Sequence, residues 1–175
     1  IKGRDMILMI DDFLPKDKFA DISALLCDPD GRFPWYYFDS KVGENNPNNF
    51  YDYGFVHSFY SKGQYVSWLT KEETWPINPI YEALGAKQLI KVKANLTMAT
   101  PLIYEYDMHT DVGHRMESKT AVFYLNTNDG YTLFENGSKV ESVANRVVIF
   151  DEKIRHAGTS CTNAKRRIVL NVNYI

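Results

Sequence analysis

His109 and Asp111 stand two residues apart in a segment that reads as the end of a strand, so both side chains leave the same face and can converge on one ion. A His-x-Asp pair alone arises often by chance. It gains weight from the run Arg146-Val147-Val148-Ile149-Phe150-Asp151, which reads as a strand, and from His156-Ala157-Gly158 directly after it. A third ligand brought in from a separate strand completes a two-histidine, one-carboxylate facial set. On iron(II) such a set leaves three coordination positions open for substrates and dioxygen. The same ligands discriminate weakly among divalent metals, so zinc, nickel and manganese are alternative occupants.

Beyond a polar turn over 159–165, the final strand opens with Arg166-Arg167 and continues Ile168-Val169-Leu170-Asn171-Val172-Asn173-Tyr174. Parity separates the two arginines. Ile168, Leu170 and Val172 make one apolar face, with Arg166 at its solvent-facing end, while Arg167, Val169, Asn171 and Asn173 make the other. Arg167 therefore points to the more polar side, where a guanidinium can hold a carboxylate through paired hydrogen bonds. Arg166 is the alternative anchor.

The elements that must position these groups belong to a chain of 175 residues, 45% hydrophobic and 24% charged, which is enough apolar material for one compact domain. Residues 6–14 read as a strand and a turn, and Pro15 opens a helix through about Cys27 with Phe19, Ile22, Leu25 and Leu26 on one face. Thirteen of the 25 aromatics lie in residues 33–68, a composition that favours strands. A second helix is expected over about 70–84, in two short pieces because Pro76 and Pro79 interrupt it, with Gly85 as its stop. Strands follow at 88–95, 102–106, 120–126, 131–135, 146–150 and 167–174, and Asn128-Asp129-Gly130 and Asn136-Gly137 carry the signals of tight hairpins. Short helices followed by at least six short strands predict a mainly β (α+β) fold, a helix-decorated sandwich or jelly roll.

The formal net charge of -2 gives no general reason for nucleic-acid binding. Lys87, Lys91 and Lys93 form too small a cluster to change that, and Lys91 and Lys93 are expected on an exposed strand face. No apolar run approaches the roughly 20 residues of a membrane-spanning helix, and none resembles a signal peptide. Cys27 and Cys161, far apart, read as two reduced thiols. The expectation is a soluble cytoplasmic protein.

The set His109-Thr110-Asp111, His156 and Arg167 resembles the iron(II)/2-oxoglutarate-dependent dioxygenases, in particular their prolyl-4-hydroxylase-like branch. Ala121-Val122-Phe123-Tyr124-Leu125-Asn126 is similar to that branch's strand ending in Tyr-Leu-Asn, and Gly130-Tyr131-Thr132-Leu133-Phe134 to its Gly-Gly-Glu-Thr-x-Phe segment. Residues 146–151 and 167–174 are similar to its strand before the distal histidine and its closing strand. The lead-in Asp11-Asp12-Phe13-Leu14-Pro15 also resembles the usual N-terminal segment. Tyr131 stands where the family has Gly, Leu133 departs from its polar positions, and the interval from His156 to Arg167 is slightly long.

The resemblance implies a double-stranded β-helix (jelly-roll, cupin-like) core over about 88–175, with a helical and aromatic-rich support region over about 1–87, in one domain spanning 1–175. It implies that His109, Asp111 and His156 bind iron(II), that 2-oxoglutarate is the co-substrate, and that Arg167 holds its distal carboxylate with Tyr124 and Asn171 nearby. The reaction would be dioxygen-dependent hydroxylation of a C–H bond on a peptidyl residue, an amino acid or another small molecule, releasing succinate and carbon dioxide. His114, Arg115 and His57 are candidate contacts to the primary substrate. Competing readings are a nucleobase-directed oxygenase, a non-catalytic jelly-roll binding module and a zinc hydrolase using the same ligands. A hydrolase leaves the arginine one strand beyond His156 unexplained. Oligomeric state is not legible in these residues.

Overall fold

In the computed structural model, residues 6–39, 50–67, 77–111 and 117–175 are described. A large antiparallel sheet forms the back of the molecule. Its strands are β1 (Leu8–Ile10), β2 (Tyr36–Phe38), β3 (Gly54–Ser61), β4 (Gln64–Tyr65), β5 (Leu89–Met98), β6 (Lys119–Tyr124), β9 (Val147–Asp151) and β11 (Arg166–Tyr174). Their order is β1-β9-β6-β11-β5-β3-β2, with β4 paired to β3. Facing it is a three-stranded sheet in the order β10-β7-β8, from β7 (Tyr131–Phe134), β8 (Lys139–Glu141) and β10 (His156–Gly158). Two facing antiparallel sheets are the jelly-roll arrangement expected from the strand pattern.

Alternation along the central strands follows from their having a different environment on each side. On the outer side, Phe123, Ile168, Leu170 and Val172 pack with Ile22 and Leu26 of α1 (Lys16–Leu26) and Ile80 of α2 (Asn78–Leu84). Between the sheets, Val122, Tyr124, Val148 and Val169 meet Phe134 and Val140 of the small sheet. Asn145 fixes the lead-in to α1: its amide donates to the Leu14 carbonyl (2.8 Å) and its Oδ1 accepts from the Leu14 N–H (3.0 Å). Such a pair satisfies buried backbone groups that no strand or helix serves.

Several expectations change. The aromatic stretch does supply strands, and β3 pairs directly with β5, so it extends the large sheet. The second helix is a single described piece, Asn78–Leu84, with proline in its first turn and Gly85 at φ 64° as its left-handed cap; residues 68–76 lie outside the described set. Residues 102–106 form no strand. They run beside β10 through separate bonds, Ser160 N–H to Tyr104 C=O (2.9 Å) and Tyr106 N–H to Gly158 C=O (3.1 Å), with an isolated bridge at Glu105 and Thr159.

Asn136-Gly137 is the tight turn between β7 and β8, with Gly137 at φ 83°. Asn128-Asp129-Gly130 is not a hairpin. It carries the chain from β6 in one sheet to β7 in the other, because Asn128 Oδ1 turns back onto the Gly130 N–H (3.0 Å) and Asp129 is bound by the loop before β11. The local turn chemistry is as read; the strands it joins do not pair.

Candidate active site

His109 and His156 are cross-strand partners. The N–H of His109 donates to the His156 carbonyl (2.9 Å) and the N–H of His156 to the His109 carbonyl (3.0 Å), forming an isolated antiparallel bridge that sets the rings 4.9 Å apart. Asp111 follows, with Oδ1 3.5 Å from His109 Nε2 and 3.8 Å from His156 Nε2. The donor atoms of all three lie within 4.8 Å of one another. Ligands about 2.1 Å from an ion in adjacent octahedral positions stand about 3 Å apart, so a small contraction closes the set on a metal.

Each candidate ligand is oriented from behind. His109 Nδ1 faces the Asp107 carbonyl (3.0 Å) and His156 Nδ1 the Ile154 carbonyl (3.3 Å), which leaves both Nε2 atoms for the ion. Asn173 donates from Nδ2 to Asp111 Oδ2 (3.1 Å) and to Thr120 Oγ1 (2.9 Å). Burial works to raise the Asp111 pKa, but the His109 hydrogen bond, the two imidazoles and the Asn173 amide outweigh it and keep the carboxylate ionised. Burial lowers the His156 pKa, favouring the neutral ring a metal requires. For His109 burial acts in the same direction, yet the Asp111 hydrogen bond and the Asp107 carbonyl prevail and the pKa is raised.

The pocket beside this triad lies between the two sheets, and Arg167 closes its far end. Parity on β11 gives this result. Arg167 is 4% exposed and donates from Nε to Ser142 Oγ (2.7 Å) and from Nη2 to Thr132 Oγ1 (3.3 Å). Among the described residues no carboxylate lies within 4 Å of it. Burying a guanidinium without a counter-ion is costly, and the described residues supply no anion to it. Arg166 belongs elsewhere: it is on the helix side and donates to the Cys27 carbonyl (2.9 Å) at the end of α1.

Tyr124 is fully buried behind the pocket. Its ring lies 5.6 Å from the Arg167 guanidinium and its hydroxyl donates to Thr132 Oγ1 (2.8 Å), so it supports the arginine rather than lining the cavity. Asn171 does line the cavity, and its buried Oδ1 has no hydrogen-bond partner among the described residues. His57 sits away from the pocket. Both its ring nitrogens are engaged, Nδ1 with the Pro34 carbonyl (2.7 Å) and Nε2 with Ser67 Oγ (2.8 Å), and it packs against Phe33 and Phe59. It is packed in the core. His114 and Arg115 lie outside the described residues.

Sequence reasoning missed the contribution of β5. Lys93, Asn95 and Thr97 all line the pocket, and Lys93 is not on an exposed face as expected. The signal was present: Val92, Ala94 and Leu96 are the buried partners in the same alternation. A polar face on a central strand reads as solvent-facing unless another sheet is known to cover it.

Neither the protein-family models nor the curated proteins match this sequence. Among solved structures, a 2OG-Fe(II) oxygenase family oxidoreductase from Burkholderia pseudomallei superposes with a TM-score of 0.64 at 14% identity, covering 96% of this chain and 84% of that one. The prolyl hydroxylase of Trichoplax adhaerens, solved with a hypoxia inducible factor peptide, gives 0.65 at 14% identity over 96% and 83%. The chain has the fold of the 2-oxoglutarate/iron(II) oxygenases. That fold serves more than one outcome, since the non-heme alpha-ketoglutarate-dependent epimerase SnoN of nogalamycin biosynthesis superposes at 0.67 with 14% identity, over 98% of this chain and 77% of that one. Among the described residues, no helix is long and apolar enough to cross a membrane.

Proposed function

We propose that the protein is an iron(II)- and 2-oxoglutarate-dependent oxygenase that hydroxylates a C–H bond of a small molecule or a peptidyl side chain. The observation that carries this reading is a His109–Asp111–His156 cluster opening onto a pocket that ends in a buried arginine with no counter-ion among the described residues. A metal alone accounts for the triad but leaves the charge of Arg167 uncompensated. A dicarboxylate keto acid satisfies both.

His109, Asp111 and His156 would hold the metal through one face, leaving the other positions toward the pocket. Arg167, steadied by Ser142, Thr132 and the Tyr124 ring, would hold the distal carboxylate and fix which end of the keto acid reaches the metal. Asn173 keeps Asp111 turned to the ion. When bound, iron and 2-oxoglutarate supply, with dioxygen, the oxidising power to cleave a C–H bond, and succinate and carbon dioxide leave. Val122 and Val169 give the cavity apolar walls that limit water around the reacting groups.

The test is anaerobic. Iron(II) and then 2-oxoglutarate are added to metal-free protein, and the visible charge-transfer absorption of a chelated keto acid is followed. The absorption is expected in the parent protein, lost in His109→Ala and Asp111→Ala, and reached only at much higher 2-oxoglutarate in Arg167→Ala. Stoichiometric iron binding with no absorption would remove this reading and leave a binding module or a hydrolytic metal site.

A further inference from the structure

We propose that Lys93 is a second carboxylate anchor, at the metal end of the pocket, holding the 1-carboxylate of the keto acid while Arg167 holds the distal one; this rests on the reading of the site given above.

The register of β5 against β11 orders the pocket floor. Thr97 faces Arg167, Asn95 faces Val169, Lys93 faces Asn171 and Lys91 faces Asn173. On one face of a sheet, successive rows of this kind are about 7 Å apart, and directly opposed side chains start about 5 Å from each other. The Asn173 row touches Asp111. The Lys93–Asn171 row is therefore next to the metal ligands, and Arg167 lies two rows further, about 13 Å along the strand. An arginine side chain and a five-carbon dicarboxylate together span that interval. One carboxylate then falls at Arg167 and the other beside Lys93 and Asn171.

The Lys93 ammonium in that row lacks a counter-ion among the described residues, none of whose carboxylates comes within 4 Å of it. Burial, helped by Lys91, lowers the Lys93 pKa, while the charge of Asp111 offsets part of that loss. A keto acid that chelates a metal uses its keto oxygen and one oxygen of its 1-carboxylate. The second carboxylate oxygen then sits in a partly desolvated cavity and needs a donor, and an ammonium on the adjacent row is a charge-matched one.

The test uses the iron(II)-loaded protein without oxygen and compares 2-oxoglutarate with 2-oxopentanoate, which has the same chain length and no distal carboxylate. Charge-transfer absorption gives the affinity for each, and iron stoichiometry and thermal melting are recorded for every variant. Lys93→Met is expected to weaken both keto acids by the same factor, about ten- to a hundredfold, with Lys93→Arg recovering most of the loss. Arg167→Met is expected to weaken 2-oxoglutarate alone. Should Lys93→Met fail to fold or to load iron, Lys93→Gln is read in the same titration. Unchanged affinity for both keto acids would overturn the proposal, as would a loss confined to 2-oxoglutarate, which would assign Lys93 to the distal carboxylate. Absence of the absorption in the parent protein is a separate result, and would instead remove the reading of the pocket as a keto-acid site.

Discussion

Replacing Gly130 with alanine should weaken 2-oxoglutarate binding from a distance, through the stem of Arg167. A methyl group at this position would stand 2.6 Å from the Ser160 carbonyl oxygen, 2.7 Å from Arg167 Cδ and 2.8 Å from Asn128 Oδ1. Ordinary contacts to carbon are about 3.5 Å or more, so each neighbour must retreat by about 0.8 Å. Ser160 is held by its N–H on the Tyr104 carbonyl, and Asn128 by its bonds to the Gly130 N–H and the Asn126 carbonyl. Arg167 is left to move, and its bonds to Ser142 and Thr132 are the ones broken. Overpacking of this kind costs about 1–3 kcal/mol, and about 2 kcal/mol in a domain of this size lowers Tm by about 4–8 °C. Displacing the guanidinium removes a charge-assisted contact, so affinity for 2-oxoglutarate should fall by about tenfold or more. Calorimetry and anaerobic titration measure the two effects separately. Parent-like melting together with parent-like affinity would refute the argument, and so would an equal loss of iron affinity, because none of the three metal ligands touches Gly130.

Asn173→Ala releases Asp111 from its only described side-chain donor other than the histidine, and iron affinity should drop about tenfold, measured by competition with a chelator. Arg166→Ala should lower thermal stability by about 1 kcal/mol through the lost bond to the end of α1, while keto-acid affinity stays at the parent value. Iron affinity should rise with pH. The folded-state pKa of His109 is raised, so its proton stabilises the metal-free protein fully below the unfolded value of about 6.5 and ceases to do so as pH climbs through the higher folded value. The ion displaces that proton, so titrations at pH 6 and 8 should show the weaker binding at pH 6.

The closing strand was legible because it has a packed apolar layer on one side and a polar cavity on the other, so its parity separates Arg166 from Arg167. The same alternation on β5 was misread, since period two states that a strand has two faces without saying what covers each. β10 is only three residues long, too short for a periodic signature, although it carries His156. Asn128-Asp129-Gly130 shows the limit of local chemistry: the turn closes as its residues require, but long-range pairing decides whether a hairpin follows. His57 looked chemical by residue type, and only the carbonyl of Pro34 and the hydroxyl of Ser67 reveal that both its nitrogens are spent on packing.

On the proposed function, the backbone bridge between His109 and His156 bears on how the metal would be held over time. Two of the three candidate ligands are tied to each other by main-chain hydrogen bonds that do not involve an ion. The chelating geometry is thus preorganised, in contrast to small zinc domains whose ligands assemble only as the chain folds around the metal. Iron bound there would be lost to oxidation or a chelator and reloaded without a round of unfolding. Dissociation and recharging would then be a local event at the strand ends, and apoprotein would remain a reservoir that fresh iron restores.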